Sequence, residues 1–418
     1  MPSETPGLRL SSWEVGETRR LPGMEIKRLE KELFEVYIGP QHPGSGHMRI
    51  IVRLDGDVIV EADPDIGYVH RTMEKLAEGR SYVKIIPLIE RMAILDACNV
   101  TLPYVEAVEK LLDIEPPERA KYLRVLLCEI NRIGSHLYGF GIFGVFLGHS
   151  TMYMWPFGDR EVFVELAERL TGARLTHTYP IFGGVRRDVP EGLLDDLRKA
   201  TRYMRRRLED YRKIFLDNPV IRRRLEGVGV VSKNMAIDLG LVGPNLRASG
   251  VRYDVRAVEP YEVYDELEFE IPVFEEGDAL ARAWVRVEEI KQSLRILEQV
   301  ADKLEKTKGE PIMHEKFWAK APPLFKKIFE KEGRVKLMPV FAMLRLPKGR
   351  AFARAEAGRG EIVYYVESDG SPQPYRVRVV SPSFRNAIMF KYVVPGHRLA
   401  DLPAIYGSFD YFPPEADR

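Results

Sequence analysis

The sequence predicts an α+β fold that is mainly α, with small antiparallel β-sheets flanking one helical bundle. Apolar residues recur at helical spacing through the middle of the chain, and they alternate at strand spacing near residues 33–62 and 361–380. At 418 residues and 45% hydrophobic the chain can bury a large core, and its length alone permits two or three domains. No repeat, low-complexity tract or flexible linker divides it, which favours a single domain.

Near the N-terminus, Met48 to Leu54 and Val58 to Glu61 alternate as strands do, and Asp55-Gly56-Asp57 between them is a hairpin turn. From about residue 76 the period becomes helical. Leu123, Leu126, Ile130, Ile133 and Leu137 form one stripe entered after Pro116-Pro117. Leu280, Trp284, Val287, Leu294, Leu297, Val300 and Leu304 mark a core helix of about seven turns. Residues 191–226 read as a further helical stretch, with the arginines 205–207 and 222–224 on a solvated or partner-facing surface. Glu361 to Val366 and Tyr375 to Val380 are β-rich and flank a turn at 368–374.

The 63 basic and 62 acidic residues give a net charge of +1, so no global field draws the chain to nucleic acid or to an anionic membrane. The longest near-apolar run, 137–148, is too short and glycine-rich for a spanning helix, which needs roughly 20 apolar residues. The first residues lack a signal-peptide layout. A peripheral position on the cytoplasmic face of the membrane, held by partners, is the expectation. The 30% charged content is in line with a thermophilic source. Cys98 and Cys128 are the only thiols, and 29 residues separate them. An iron–sulfur cluster needs about four thiolates, so both are read as small buried hydrophobes, and any electrons must come from another subunit.

Several segments resemble the hydrogenase-like subunit of respiratory complex I. These are Ile38-Gly-Pro-Gln-His-Pro43, Gly67-Tyr-Val-His-Arg71, Ala107-Val-Glu-Lys-Leu-Leu112, Arg119 to Leu126, Arg247 to Arg256, Glu259 to Tyr264, Val287 to Arg295, Val366 to Gly370 and Gly396 to Asp401. They occur in the family's order across residues 31–418. The resemblance implies a [NiFe]-hydrogenase large-subunit-like helical bundle. Residues 1–30 are then an N-terminal extension and 31–418 one domain, made of an N-terminal β unit (31–75), a helical bundle (76–335) and a C-terminal β unit with tail (336–418).

Hydrogenases of the related membrane-bound group carry CxxC after a Glu-Arg pair and again shortly before a terminal Asp-Arg. Setting Glu90-Arg91 and Asp417-Arg418 in register puts Ala93 and Asp96 at the first pair and Phe412 and Glu415 at the second. All four thiolates are replaced, so no metal site is expected. Asp96 or Glu415 could serve as a proton donor if burial raises its pKa, or could form an ordinary salt bridge, for instance with Arg91. Complex I relatives hold a quinone headgroup between a histidine after Gln-His-Pro and a tyrosine after Asp-Arg-Leu-Asp. His47 is the nearest counterpart of that histidine, whereas the tyrosine position falls on Ile94, which cannot donate a hydrogen bond. His42 and His47 sit in the glycine-rich loop Gly44-Ser-Gly46, as proton-transfer candidates or as loop-holding residues. Arg132 and His136, at i, i+4 spacing, read as a structural polar network, as does His70 with Arg71 and Glu74. Ala355-Glu-Ala-Gly-Arg-Gly360 resembles the hydrogenase Glu-Ala-Pro-Arg-Gly motif with Gly358 in place of proline, and Arg359 either points toward the old metal site or pins its hairpin.

These losses are similar to those of the archaeal membrane-bound sulfane sulfur reductases. The expected function is that of a large peripheral-arm subunit of an ion-translocating oxidoreductase, walling a substrate cavity beside a partner's [4Fe-4S] cluster and binding no cofactor itself. The implied partners are a small iron–sulfur subunit of the hydrogenase or complex I type, other complex I-like peripheral subunits, a quinone-channel-type membrane subunit, antiporter-like subunits, and ferredoxin as electron donor. The candidate catalytic residues are His42, His47, Asp96 and Glu415, with Arg91, Ala93, Ile94, Arg359 and Phe412 lining the cavity. The alternatives are a quinone-binding subunit with a rearranged headgroup site, and a non-catalytic scaffold between the cluster subunit and the membrane arm.

Overall fold

The structure, a computed structural model, describes residues 14–30, 33–42, 46–320, 341 and 344–418. Gly44 and Ser45 of the histidine loop and the 335/336 boundary lie outside the described residues, as do 1–13 of the N-terminal segment.

Five antiparallel strands open the chain: β1 (Thr18–Leu21), β2 (Met24–Arg28), β3 (Leu33–Ile38), β4 (Arg49–Asp55) and β5 (Val58–Asp65), hydrogen-bonded in sequence order. The hairpin at 55–57 joins β4 to β5 as its turn composition predicts. Residues 18–28, read from the sequence as part of an extension, pair into this same sheet, with Ile26 opposite Val36. Leu29 and Glu30 both donate to the Leu33 carbonyl. Charged residues dominate β1 and β2, so alternation there is too weak to read without the partner strand.

The bundle follows: α1 (Met73–Glu78), α2 (Tyr82–Ile89), a 3₁₀ turn (Ile94–Asp96), α3 (Ala97–Leu112), α4 (Glu118–Phe146) and α5 (Ser150–Thr171). After the short hairpin β6 (Pro180–Ile181) and β7 (Gly184–Val185) come α6 (Leu193–Tyr211), α7 (Pro219–Leu225), α8 (Lys233–Asp238), α9 (Pro244–Arg247), α10 (Val255–Val258), α11 (Ala279–Lys306) and α12 (Glu315–Lys320). The predicted stripes of α4 and α11 lie in one core. The 191–226 stretch is interrupted by a π turn at Arg212–Leu216. Its arginines are not all free: Arg207 donates to Asp159 at 2.8 Å and Arg224 to the Leu147 carbonyl at 3.0 Å.

The C-terminal sheet has the order β10-β9-β8, with β8 (Gly349–Ala357), β9 (Gly360–Ser368) and β10 (Arg376–Val380), and β8 and β9 pack on α3. Strand β8 escaped the sequence reading because its alanines and charged residues have low strand propensity, and pairing with β9 supplies what composition lacks. Short helices at Pro382–Ala387, Met389–Val393, Leu402–Phe409 and Pro413–Asp417 carry the tail back over the bundle.

The tip of the β8–β9 hairpin is set by backbone contact. Gly243 has φ 67°, and a Cβ there would stand 2.3 Å from the Arg359 carbonyl oxygen; one on Gly360 would stand 2.7 Å from the Gly243 nitrogen. Two chain segments touch without side chains between them. Gly243→Ala is expected to lower the thermal midpoint by several degrees and displace Arg359, measured by thermal denaturation beside the unaltered chain.

Candidate functional site

Three segments meet beneath that tip: the turn leading into α3, residues 357–360, and the tail at 410–417. Asp96 is buried at the start of α3. Its Oδ1 accepts from Asn99 Nδ2 at 2.6 Å and its Oδ2 from the Gly358 backbone N–H at 2.6 Å. A Cβ on Gly358 would meet Ser135 Oγ at 3.2 Å and Asp96 Oδ2 at 3.4 Å. Glycine, and not the proline of the hydrogenase motif, matches this carboxylate, because proline has no N–H to give it. The two departures from the hydrogenase pattern, Asp96 and Gly358, are therefore one interaction.

Arg359 lies between the acidic groups. Its Nε donates to the Asp410 carbonyl at 2.9 Å, Nη2 to Asp410 Oδ1 at 3.3 Å and Nη1 to Ser135 Oγ at 3.3 Å. The guanidinium sits over the Phe412 ring at 4.8 Å, a cation–π contact. Burial opposes its charge, but Asp410, Glu415 and Asp96 together hold its pKa above the ordinary arginine value. Glu415 is fully buried; its Oε2 accepts from the Ser383 hydroxyl and from the Ser383 N–H at 3.2 Å. Its Oε1 has no hydrogen-bond partner among the described residues. Burial raises the Glu415 carboxyl to about 7, with Arg359 and Ser383 pulling it down and Asp96 pushing it up. Asp96, Arg359 and Glu415 thus form one electrostatic unit. A cavity of about 420 Å³ opens beside the tail, lined by Gly67, His70, Glu74, Phe384, Ala416 and Arg418.

The structure brings Asp96, Arg359, Phe412 and Glu415 together, and Ala93 is buried in the turn before Asp96. Ile94 is 37% exposed on the outer face of that turn. Arg91 is exposed and turns back to the Pro87 carbonyl of the helix before it, while its own carbonyl accepts from Arg71 at 2.6 Å. It makes no salt bridge with Asp96. His42 packs against the β1–β2 turn, where a Cβ on Gly23 would stand 3.0 Å from its ring. His47 is exposed, and its loop comes against the tail at Gly46, where a Cβ would stand 3.1 Å from the Tyr406 hydroxyl and 3.6 Å from Pro413. Tyr82 is buried facing the C-terminal sheet, with its hydroxyl 3.3 Å from the Gln373 carbonyl.

Sequence reasoning missed Ser135, Ser383, Asn99 and the role of Asp410, all partners of the charged groups. Of these only Asp410, inside the C-terminal motif, carried a signal. The cysteines are buried as expected, yet they are also paired: Cys98 Sγ and Cys128 Sγ lie 3.0 Å apart across α3 and α4. Glu90 is buried too, raised to about 7 by burial and held by the Thr178 hydroxyl at 2.8 Å. At the four positions that the motif register aligns with hydrogenase thiolates, the side chains are two carboxylates, a methyl and a phenyl group. They do not fit a nickel–iron centre, which needs soft ligands.

The family described as respiratory-chain NADH dehydrogenase, 49 kDa subunit, matches residues 147–418. The chain belongs to this family. It is 40% identical over 390 residues to the D-type subunit of NADH-quinone oxidoreductase from Geobacillus kaustophilus, covering 93% of this chain and 99% of the relative. The D-type subunit from Syntrophobacter fumaroxidans is 39% identical over 399 residues, covering 95% and 100%. Among solved structures, a chain of the membrane-bound sulfane sulfur reductase, an archaeal respiratory membrane complex, superposes with a TM-score of 0.83 at 38% identity, covering 93% of this chain and all of that one. The chain is therefore an oxidoreductase-complex subunit of the complex I 49 kDa type with a hydrogenase-like fold. Among the described residues no helix is long and apolar enough to cross a membrane.

The pairing of Asp96 with Gly358 predicts a coupled pair of substitutions. Gly358→Pro leaves Asp96 Oδ2 buried without its donor and should cost roughly 1–3 kcal/mol. In an Asp96→Ala background the same change should cost clearly less, read as a non-zero coupling energy in a double-mutant cycle by denaturant unfolding.

Proposed function

We propose that the chain is the large peripheral-arm subunit of an ion-translocating respiratory complex on the cytoplasmic face of the membrane, and that it walls the cavity where sulfane sulfur is reduced with electrons from ferredoxin. The observation that carries this reading is the buried Asp96–Arg359–Glu415 unit in place of four thiolates, together with Ile94 where the quinone-binding relatives have tyrosine. The likeness to the sulfane sulfur reductase chain supports it.

Cleaving an S–S bond takes two electrons and two protons and yields two thiols. A [4Fe-4S] cluster in the adjacent small subunit would supply the electrons. Within this chain, Glu415 is suited to give a proton, since a carboxyl raised to about 7 is part-protonated at neutral pH. Arg359 is suited to hold the negative charge that develops on the departing sulfur, and Phe412 to cover the guanidinium from solvent. Asp96 keeps the arginine and the hairpin tip in place.

A second reading has its own observation: the curated relatives near 40% identity are NADH-quinone oxidoreductase subunits. Anaerobic turnover of the purified complex with reduced ferredoxin separates the readings, offering an organic trisulfide, a soluble quinone and protons in parallel. Trisulfide-dependent oxidation is expected; oxidation with quinone alone would overturn the sulfur reading. No turnover with any acceptor in an intact complex would point to a scaffold.

Glu415→Gln is expected to slow trisulfide turnover roughly 10²- to 10⁴-fold with assembly intact. Because the donor must carry its proton, the rate of the unaltered complex should fall as pH rises through about 7, and this limb should vanish in the variant. Full activity in both Asp96→Asn and Glu415→Gln would remove these residues from proton supply.

A further inference from the structure

The two cysteines of the chain take no part in the carboxylate–arginine unit, yet they lie directly behind it. Cys98 stands in the first turn of α3, two residues after Asp96, and Cys128 in the first half of α4. Both belong to the main core, Cys98 at 1% exposure and Cys128 at 0%, and their sulfurs are 3.0 Å apart.

Backbone and amide hydrogen bonds fix this juxtaposition. The Cys98 N–H donates to Asn131 Oδ1 at 2.9 Å, three residues on from Cys128 along α4. Asn99 Nδ2 donates to the Cys128 carbonyl at 2.9 Å and to Asp96 Oδ1 at 2.6 Å. The start of α3 is thus tied to α4 on both sides of the thiols. Apart from each other, the sulfurs have one hydrogen-bond partner among the described residues, the Arg124 carbonyl at 3.8 Å from Cys98 Sγ. An S–S bond is roughly 2 Å long, so closing it takes about 1 Å of movement, which rotation of the two side chains supplies.

We propose that Cys98 and Cys128 are an oxidisable pair that closes into a disulfide, stapling the start of α3 to α4 behind Asp96. The pair is separate from the Asp96–Arg359–Glu415 unit. Oxidation removes two electrons and two protons from the thiols, and a peroxide is the class of oxidant small enough to reach them. The Cys98 sulfur attacks one peroxide oxygen, the O–O bond breaks and water leaves, giving a sulfenic acid. The Cys128 sulfur then attacks the Cys98 sulfur, the S–O bond breaks, and a second water leaves with the Cys128 proton. Burial raises both thiols, but the contact between them lowers Cys98 and raises Cys128, which makes Cys98 the first nucleophile. A cavity of about 10 Å³, lined by Leu95, Ile130, Asn131 and His177, brings a molecule of that size within one side chain of the pair. Burial makes the reaction slow, and the same burial shields the finished bond from thiol reductants.

The crosslink would join residues 30 positions apart and so restrict the unfolded chain. To test it, the full-length chain is purified under reductant, freed of it, and treated with one equivalent of hydrogen peroxide. It is then unfolded in the presence of a thiol-alkylating reagent and weighed by mass spectrometry. Untreated chain should take two labels. Treated chain should take none, be lighter by two hydrogens before labelling, and yield a non-reduced digest in which the peptides of Cys98 and Cys128 are joined. Its thermal midpoint should rise by several degrees, and this rise should be absent from Cys98→Ser and Cys128→Ser. Two labels on the treated chain, labels lost with a gain of oxygen instead of a loss of hydrogen, or a disulfide found only between two chains would overturn the proposal.

Discussion

Arg247 is buried whole, so its charge has to be paired inside the protein. Its guanidinium is fully buried and donates from Nε to Glu289 Oε1 at 2.8 Å and from Nη1 to Glu356 Oε1 at 2.8 Å. Those partners sit on α11 and β8, so one charge fixes the bundle against the C-terminal sheet. Losing either partner of such a buried pair typically costs roughly 3–5 kcal/mol, because the other charge is then stranded. The network extends further. His136 donates to Glu289 at 2.9 Å, Arg256 to Asp254 at 2.7 Å, and Arg132 to both oxygens of Glu129 at 3.2 Å. Burial keeps His136 neutral, so it satisfies Glu289 as a hydrogen-bond donor without adding charge.

The consequence for the site runs through β8. Glu356 is held from one side by Arg247, and its backbone carbonyl accepts from Arg132 at 2.6 Å. Two residues later the turn after this strand presents the Gly358 N–H to Asp96, and one residue after that Arg359 reaches Asp410 and Ser135. The hairpin tip therefore inherits its position from the buried charges behind it and from the glycine contact with residue 243. Rigidity of this kind suits a site that must hold an arginine between two acids.

Much of this was legible in the sequence, for physical reasons. The stripes on α4 and α11 have the helical period, and hairpin 55–57 has its turn residues. Residues 93, 96, 412 and 415 were placed by register with motifs; Phe412 stacks on Arg359, and Asp96 and Glu415 act on its charge without touching it. Contacts between distant segments were not legible. Ser135, Ser383 and Asn99 are ordinary in composition and acquire meaning only when α4, the tail and α3 converge. His47 and Arg91 stand at the surface of the chain, outside the buried group around Arg359.

Carboxylates at the positions that align with the hydrogenase thiolates set what this place can do, and position 96 does not act alone. A cysteine at 96 would need no N–H from residue 358, and a proline there would offer none; an aspartate at 96 needs it, and glycine supplies it. Once both changes are in place, Asp96 is buried with both oxygens engaged, while Glu415 keeps one oxygen open. The asymmetry assigns the pair different parts. Asp96, tied on both oxygens, holds the hairpin tip through the Gly358 N–H. Glu415, free on Oε1 and raised to about 7, is the member of the pair able to exchange a proton at neutral pH.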